Sequence, residues 1–417
     1  MLGQLSAEIR QYLVVTGNYW AFTLSDGALR MLVVLHFHSL GYSPLNIALL
    51  FLFYEIFGVI TNLLGGWLGA HLGLNRTMNI GLALQVIALS MLLVPTALLT
   101  VPWVMAAQAL SGIAKDLNKM SAKSAIKLLV PENAHSTLYH WVAILTGSKN
   151  ALKGAGFFLG GALLMWLGFV GAVAAMAIAL ALVWLASLVL LKKDLGRAKS
   201  KPRFRDIFSK SRAINILSAA RMCLFAARDA WFVVALPVFL AQTLDWDHWQ
   251  TGGFLALWVI GYGAVQAIAP RITGNASNKV PDGRSALLWV AALALLPGLI
   301  ALALTAPLPV AVNPGAILIA GLLLFGAVFA INSSLHSYLI VSYAGSDGVS
   351  LDVGFYYMAN AMGRLIGTLL SGSVFQLAGQ EVNGLAACLW ISTLLLAAAT
   401  IISLGLPVAT HSKEKEH

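Results

Sequence analysis

Hydrophobic residues along this chain of 417 residues gather into runs of about 20, the length that crosses a bilayer core. Twelve runs can be read, at 12–38, 46–70, 76–95, 101–125, 138–163, 168–191, 213–240, 249–270, 285–306, 314–341, 352–377 and 384–407. They predict an all-α integral membrane protein with twelve transmembrane helices. Composition agrees, because a soluble domain carries about 25% charged residues, whereas here 10% are charged and 59% hydrophobic. Glu8 and Arg10 precede the first run, and no small-residue cleavage site follows a short apolar core, so that run reads as a mature helix rather than a removable signal. Cys223 and Cys388 lie inside apolar runs and predict neither a disulfide framework nor a thiolate metal site.

The loops orient the runs. Those after runs one, three, seven, nine and eleven contain no Lys or Arg, whereas those after runs two, six and eight carry Arg76, a dense basic cluster, and Arg271 with Lys279 and Arg284. The positive-inside rule therefore places both termini and the central loop in the cytoplasm. The central loop, 192–212, holds nine Lys/Arg against Asp194 and Asp206, which is +7 of the chain's net +10. It reads as a topology determinant and linker, with contact to anionic lipid as the alternative, and is no evidence for nucleic acid. The expected organisation is an N-terminal half at 1–191, the basic linker at 192–212 and a C-terminal half at 213–417.

The halves share a pattern. Asp26 falls on Asp229 and Gly58 on Gly261 at an offset of 203; Gly112 and Asn118 fall on Gly326 and Asn332 at 214; Lys153, Gly156 and Gly161 fall on Arg364, Gly367 and Gly372 at 211. Similar offsets in the same order describe two pseudo-symmetric six-helix halves, and this architecture resembles the major facilitator fold, whose site lies near the midplane between halves. The loop after run two is similar to that family's signature in its spacing of Gly66, Leu68, Gly73 and Arg76, but Ala70 stands where the family has an acid, and Leu74 and Asn75 replace basic residues. Charge locking of helix ends in the family's manner is therefore in doubt here. Gly154, Gly156, Gly160 and Gly161 resemble the glycine-rich motif of family antiporters, with Phe157 in place of its proline; close helix packing through small residues is the simpler reading.

Charge inside the spans carries the chemistry. Arg30, Lys115, Lys119, Lys149, Lys153, Arg221, Arg228 and Arg364 lie within or at the edge of apolar runs, against only Asp26, Glu55, Asp116 and Asp229. Each such charge costs about 2.5–3.5 kcal/mol at a helix centre unless it is paired, hydrated or neutralised by a substrate, so the cationic excess predicts an anionic substrate. Asp26 and Arg30 are one turn apart and able to pair. Arg228 and its neighbour Asp229 diverge by about 100°, so Arg228 is expected to point elsewhere, on nearly the same face as Arg221. Lys115 and Lys119 follow one helix face beside Asp116, and Lys123 and Lys127 continue it toward the cytoplasmic boundary, where snorkelling explains them. Lys149 and Lys153 have no acid on their own helix. Glu55 has no base within four positions and is the first candidate for proton coupling, followed by Asp26, Asp116 and Asp229. His36, His38, His140 and His336 read as structural groups. No hydrolase triad, zinc pattern or phosphate-binding glycine loop occurs, so no enzyme activity, metal or cofactor is expected.

Ser111 to Lys127 (SGIAKDLNKMSAKSAIK), Thr146 to Gly156 (TGSKNALKGAG) and the stretch from Asn18 through Arg30 resemble ArsJ-type organoarsenical efflux permeases, a bacterial subgroup of the major facilitator family. The resemblance implies residence in the bacterial inner membrane and export of 1-arseno-3-phosphoglycerate, made when a partner glyceraldehyde-3-phosphate dehydrogenase uses arsenate in place of phosphate. It also implies that arginines of helices one and seven, Arg30 and Arg228, clamp the substrate, as in organophosphate transporters of the family. No motif shows arsenic. Organophosphate uptake by antiport and a ligand sensor on a transporter fold are the competing expectations.

Overall fold

Alternation between apolar runs and glycine- or proline-marked turns produces a purely helical chain. A computed structural model describes residues 7–41, 50–131, 134–191, 197–198, 210–246, 248–273, 281–306, 314–379 and 381–408. The helices are α1 (Ala7–Ser39), α2 (Leu52–Leu72), α3 (Leu74–Met91) and α4 (Val101–Leu129), then a hydrogen-bonded stretch, His135–Leu190, that Gly168 divides. Gly168 adopts φ 67°, which L-residues with a Cβ avoid, and its two arms, 135–167 and 169–190, are α5 and α6. The span Arg212–Thr243, α7, consists of Arg212–Phe232 and Ala235–Thr243. It is followed by α8 (His248–Thr273), α9 (Gly283–Thr305), α10 (Pro314–Tyr343), α11 (Val349–Leu377) and α12 (Glu381–Ser403). Of the basic linker only 197–198 and 210–212 fall among the described residues.

Among the described residues, six helical stretches are long and apolar enough to cross a membrane by length and composition alone: the 135–190 pair, α7, α8, α9, α10 and α12. Missing from that set are α1, α2, α3, α4 and α11, which include the helices that carry Asp26, Arg30, Glu55, the α4 lysines and Arg364. Large apolar side chains such as Met165, Trp166, Leu257, Leu295 and Leu377 are exposed around the bundle, as a lipid-facing surface requires. Where α7 breaks, the amides of Val234 and Ala235 donate to Ser371 Oγ of α11, so the freed backbone groups are satisfied inside the protein.

The two halves use the same packing scheme. In the first, Gly156 and Gly160 of α5 lie on the backbone of α1 at Leu24, Gly27 and Ala28; in the second, Gly363 and Gly367 of α11 lie on α7 at Met222 and Ala226. Gly112 of α4 sits against the backbone of Tyr54 in α2, and its counterpart Gly326 of α10 sits against Trp258 in α8. These contacts are close enough that an added Cβ would overlap, which is the physical content of the glycine motif on α5. The likeness to Gly58 fails at Gly261, where a Cβ would meet nothing within 4 Å.

The halves join at the end of the bundle nearest the linker. Gly66 of α2 crosses Gly354 of α11, and Gly147 of α5 crosses Gly263 of α8. The apolar core of the first half continues there into Leu335, Tyr338 and Leu339 of α10 and Val353 of α11, whereas the second half has its own core around Trp231, Phe325 and Phe329. In the loop after α2, Gly73 makes the turn at φ 92°, and Ser350 Oγ at the start of α11 donates to Gly66 O at 2.7 Å. Here a neutral hydrogen bond joins the helix ends, and Ala70 contributes its carbonyl to the Ala198 amide of the linker.

The α5–α8 crossing gives a direct test. A Cβ on Gly147 would stand 2.4 Å from Gly263 O and 2.6 Å from Ala267 N, so Gly147→Val is expected to cost about 1–3 kcal/mol through overpacking and to lower the thermal midpoint by several degrees. Gly161→Ala, whose Cβ would meet only Leu35 at 4.0 Å, serves as the control. Equal midpoints for the two variants would disprove the close crossing.

Candidate functional site

Between the halves, α1, α2, α4 and α5 from one side and α7 and α11 from the other bring the sequence-predicted charges together. A continuous chain of ion pairs crosses the bundle. Arg228 contacts Asp229 at 2.5 Å, Asp229 meets Arg364 at 3.3 Å, Arg364 lies 3.7 Å from Glu55, and Glu55 pairs with Arg30 at 3.0 Å. It runs from α7 through α11 to α2 and α1, so Glu55 and Arg364 couple the halves directly. Arg30, Glu55 and Arg364 keep 26%, 38% and 34% of their side chains exposed, which leaves the middle of the chain open to a solute, while Asp229 is wholly buried.

Three expectations about these residues are overturned. Asp26 does not pair with Arg30: both its carboxylate oxygens accept from the Tyr54 hydroxyl, at 2.8 and 2.9 Å, because α2 brings the phenol closer than the guanidinium one turn along α1. Glu55, expected to lack a base, lies between Arg30 and Arg364, which the sequence places 25 positions before it and 309 after it. Arg228 does not turn away from Asp229; its Nε and Nη2 both reach Asp229 Oδ1, since the long side chain spans the 100° offset, and its guanidinium rests among Phe225, Phe232 and Phe329. Arg30 and Arg228 are therefore linked through the ion-pair chain.

The lysines of α4 divide. Lys119 pairs with Asp116 at 2.6 Å, whereas Lys115 lies 3.7 Å from the centroid of the Tyr54 ring and forms no ion pair among the described residues. Lys123, expected to snorkel, is buried and bonds to the Tyr357 hydroxyl and to Thr146 Oγ1, because α5 and α11 close over that part of α4. Arg221 is also buried, donating to Asn360 Oδ1 at 2.8 Å and Ser333 O at 3.2 Å and stacking 4.0 Å from the centre of the Phe225 ring. Lys149 and Lys153 are half-buried and, among the described residues, form no hydrogen bond or ion pair. The charges that act on Lys149 are cationic, Lys119 and Lys123 before Lys153 and Arg364, whereas Lys153 feels Arg30, Arg364 and Lys115 together with the Asp26 carboxylate.

Residues that sequence reasoning missed are mostly aromatic. Tyr54 joins Asp26, Arg30 and Lys115 around one ring, with the Arg30 guanidinium carbon 4.8 Å from its centroid; Tyr357 does the same for Lys119 and Lys123. A cation over such a face gains about 0.5–2 kcal/mol, which offsets part of its desolvation. The only hint in the sequence was a tyrosine adjoining an intramembrane acid, and a second tyrosine seven residues before an intramembrane arginine. His36 stacks on Phe169 with ring centroids 4.0 Å apart, outside the charged centre. An apolar recess of about 180 Å³ between α8 and α10, lined by Trp258, Tyr262 and Leu323, has no charged lining residue; its Trp258 and Tyr262 rings pack on Phe232 and Phe329, two of the rings around Arg228.

A bundle of this topology with an ion-paired, cation-rich interface between six-helix halves defines a transporter. The chain belongs to the Major Facilitator Superfamily, whose family model matches residues 15–368. Its fold is similar to that of the human organic anion transporter MFSD10 (TETRAN), at 18% identity and TM-score 0.74, covering 96% of this chain and 100% of that one. It is similar too to a bacterial homologue of the iron transporter ferroportin in an outward-facing state (14%, TM-score 0.71, 96% and 99%). The Escherichia coli fucose:proton symporter FucP matches at 14% identity and TM-score 0.69, with the same coverage. No curated protein sequence matches the chain.

Replacing Tyr54 by Phe removes the only side-chain hydrogen-bond donor that reaches Asp26 among the described residues while keeping the ring beneath Lys115. A hydrogen bond to a charged group contributes about 1.5–3 kcal/mol, so Tyr54→Phe is expected to lower thermal stability, and Tyr54→Phe combined with Asp26→Asn should recover part of the loss. A double variant no more stable than Tyr54→Phe would show that the hydroxyl does not serve the Asp26 charge.

Proposed function

We propose that this protein is a secondary active transporter that exports a small organic anion bearing arsenate or phosphate groups, with 1-arseno-3-phosphoglycerate as its cargo and arsenate resistance as the result. The carrying observation is the charge of the interface: Lys115, Lys149, Lys153 and Arg221 have no carboxylate partner among the described residues. A cationic drug would be repelled there, whereas an oxyanion would replace the missing counter-charge, and guanidinium forks match its oxygens. The organoarsenical reading is supported by the resemblance of 111–127 and 146–156 to ArsJ-type permeases, and with it come residence in the bacterial inner membrane, cytoplasmic termini and a glyceraldehyde-3-phosphate dehydrogenase that supplies the cargo.

In this reading Arg30 and Arg364 are the first guanidinium groups an entering anion meets, and Glu55 is the internal carboxylate that neutralises them in its absence. Substrate competes with Glu55, and a proton on Glu55 frees Arg30 and leaves Arg364 to Asp229 alone, which couples proton movement to occupancy. Such exchange changes the Glu55–Arg364 ion pair between the halves and biases alternating access without covalent chemistry. Asp26, Asp116 and Asp229 stay paired and position the bases.

Everted membrane vesicles supply the test. Uptake of 1-arseno-3-phosphoglycerate is expected to exceed that of 3-phosphoglycerate and of arsenate. Uptake of 3-phosphoglycerate alone would favour an organophosphate antiporter, and binding without flux in either direction would favour a sensor. Arg30→Ala and Arg228→Ala should each lower flux at least about tenfold, the consequence of losing a charge-assisted bond, with Lys restoring only part because it lacks the fork; wild-type flux in either alanine variant removes that residue from the essential set. Glu55→Gln should retain substrate counterflow but lose pH-driven accumulation, whereas Asp26→Asn should weaken binding itself. Normal pH-driven accumulation by Glu55→Gln would exclude coupling through that carboxylate.

A further inference from the structure

The cations between the halves lie in two tiers. Helix α4 runs toward the linker end and α5 runs away from it, so Lys115 and Lys153 are the members of their pairs farther from that end, and Lys119 and Lys149 the nearer. Four residues of helix separate each pair along the axis by about 6 Å. In the farther tier, Lys115 and Arg30 share the Tyr54 ring at 3.7 and 4.8 Å. Arg364 reaches the same tier through Glu55, and Lys153 is within electrostatic reach of Arg30, Arg364 and Lys115. In the nearer tier, Lys119 and Lys123 share the Tyr357 ring at 4.8 and 4.6 Å. Arg221 acts on Lys123, and the strongest repulsions on Lys149 come from Lys119 and Lys123.

Each tier holds more bases than carboxylates. In the farther one Arg30, Lys115, Lys153 and Arg364 face Glu55 and Asp26, with Asp229 shared between Arg364 and Arg228; among the described residues the nearer one sets four bases against Asp116 alone. A single anionic group sits in one tier and leaves the other uncompensated, because a helical turn separates them and the Coulomb gain falls with distance. Tyr54 comes from the first half and Tyr357 from the second, so a ligand filling both tiers touches both halves. We infer that the interface holds two anion subsites, organised by Tyr54 and Tyr357, that select a short ligand carrying an anionic group at each end. This inference rests on the reading of the interface as an anion site and adds the requirement for two groups at a fixed spacing.

The tiers can be probed with phosphonates on the full-length protein in lipid nanodiscs. Propane-1,3-bisphosphonate, whose three-carbon spacer approximates one helical turn, is expected to bind at least about tenfold tighter than propylphosphonate, and tighter than methylenebisphosphonate, whose groups are too close to reach both tiers. Lys149→Gln should collapse the ratio between the three-carbon bisphosphonate and propylphosphonate to within about twofold, and Lys149→Arg, which keeps the charge, should preserve it. Equal affinity for the one- and two-headed ligands in the wild type, or a uniform loss of both in Lys149→Gln with the ratio intact, would overturn the two-subsite arrangement while leaving a single anion site standing. Failure of all three phosphonates to bind folded protein would instead overturn the anion site itself, and the subsites with it.

Discussion

A guanidinium or ammonium group inside a bilayer-spanning bundle must find negative charge, a π face or water, and the rest of this structure is arranged around that requirement. Four carboxylates serve at least nine buried or half-buried bases. Asp229 answers it twice, holding Arg228 and Arg364 from a wholly buried position; Glu55 answers it across the halves, between Arg30 and Arg364. Bases that no carboxylate reaches rest on aromatic rings or carbonyls: Lys115 on Tyr54, Lys123 on Tyr357, Arg221 on Phe225 and the Asn360 amide oxygen. Among the described residues Lys149 and Lys153 have neither kind of partner, and they concentrate the uncompensated charge on α5.

That helix is also held on two sides by close backbone packing. Its glycines let α1 approach on one side, through Gly156 and Gly160, and α8 on the other, through Gly147 and Gly154. With no Cβ at these points the backbones meet directly, and van der Waals contact takes the place that hydrophobic burial holds in a soluble protein. Fixing α5 between the halves leaves its two lysines little room to retreat toward lipid, so their mutual repulsion is retained until an anion arrives. Asn150 of the same helix bonds across to Gln266 of α8, a further polar tie between halves.

At the linker end the halves close through the crossing of Gly66 and Gly354, the Ser350 hydroxyl and the Lys127 ammonium on backbone carbonyls, and an apolar seam that includes Tyr338 and Val353. Ala70 stands where the family signature has an acid, and no charge pair is made by that position. The ion pair between halves farther along is Glu55–Arg364 at 3.7 Å, longer and more exposed than the others in its chain. Separation of the halves there disturbs one partly solvated ion pair, whereas separation at the linker end must part a packed seam. The two ends therefore differ in what each exchanges for opening.

The sequence by itself determined the membrane class, the helical spans and the repeat. Apolar length and the matching offsets of Asp26 with Asp229 and Gly156 with Gly367 follow from rules that act within a segment or between similar segments. It also determined the excess of positive charge, since counting Lys and Arg inside spans needs no coordinates. Only the tertiary structure decided the pairings. Neighbours on one helix were only a partial guide: Lys119 kept Asp116 and Arg228 kept Asp229, but Asp26 chose Tyr54 of α2 over Arg30, Glu55 found Arg364 in the other half, and Lys123 was covered by α5 and α11 instead of reaching the boundary. In a low-dielectric interior a charge takes the best partner within a few ångströms, and helix packing, which brings together residues hundreds of positions apart, sets which partner that is. The roles of Tyr54 and Tyr357 were hidden for the same reason, because a ring becomes a site for cations only when separate helices carry lysine or arginine to its face.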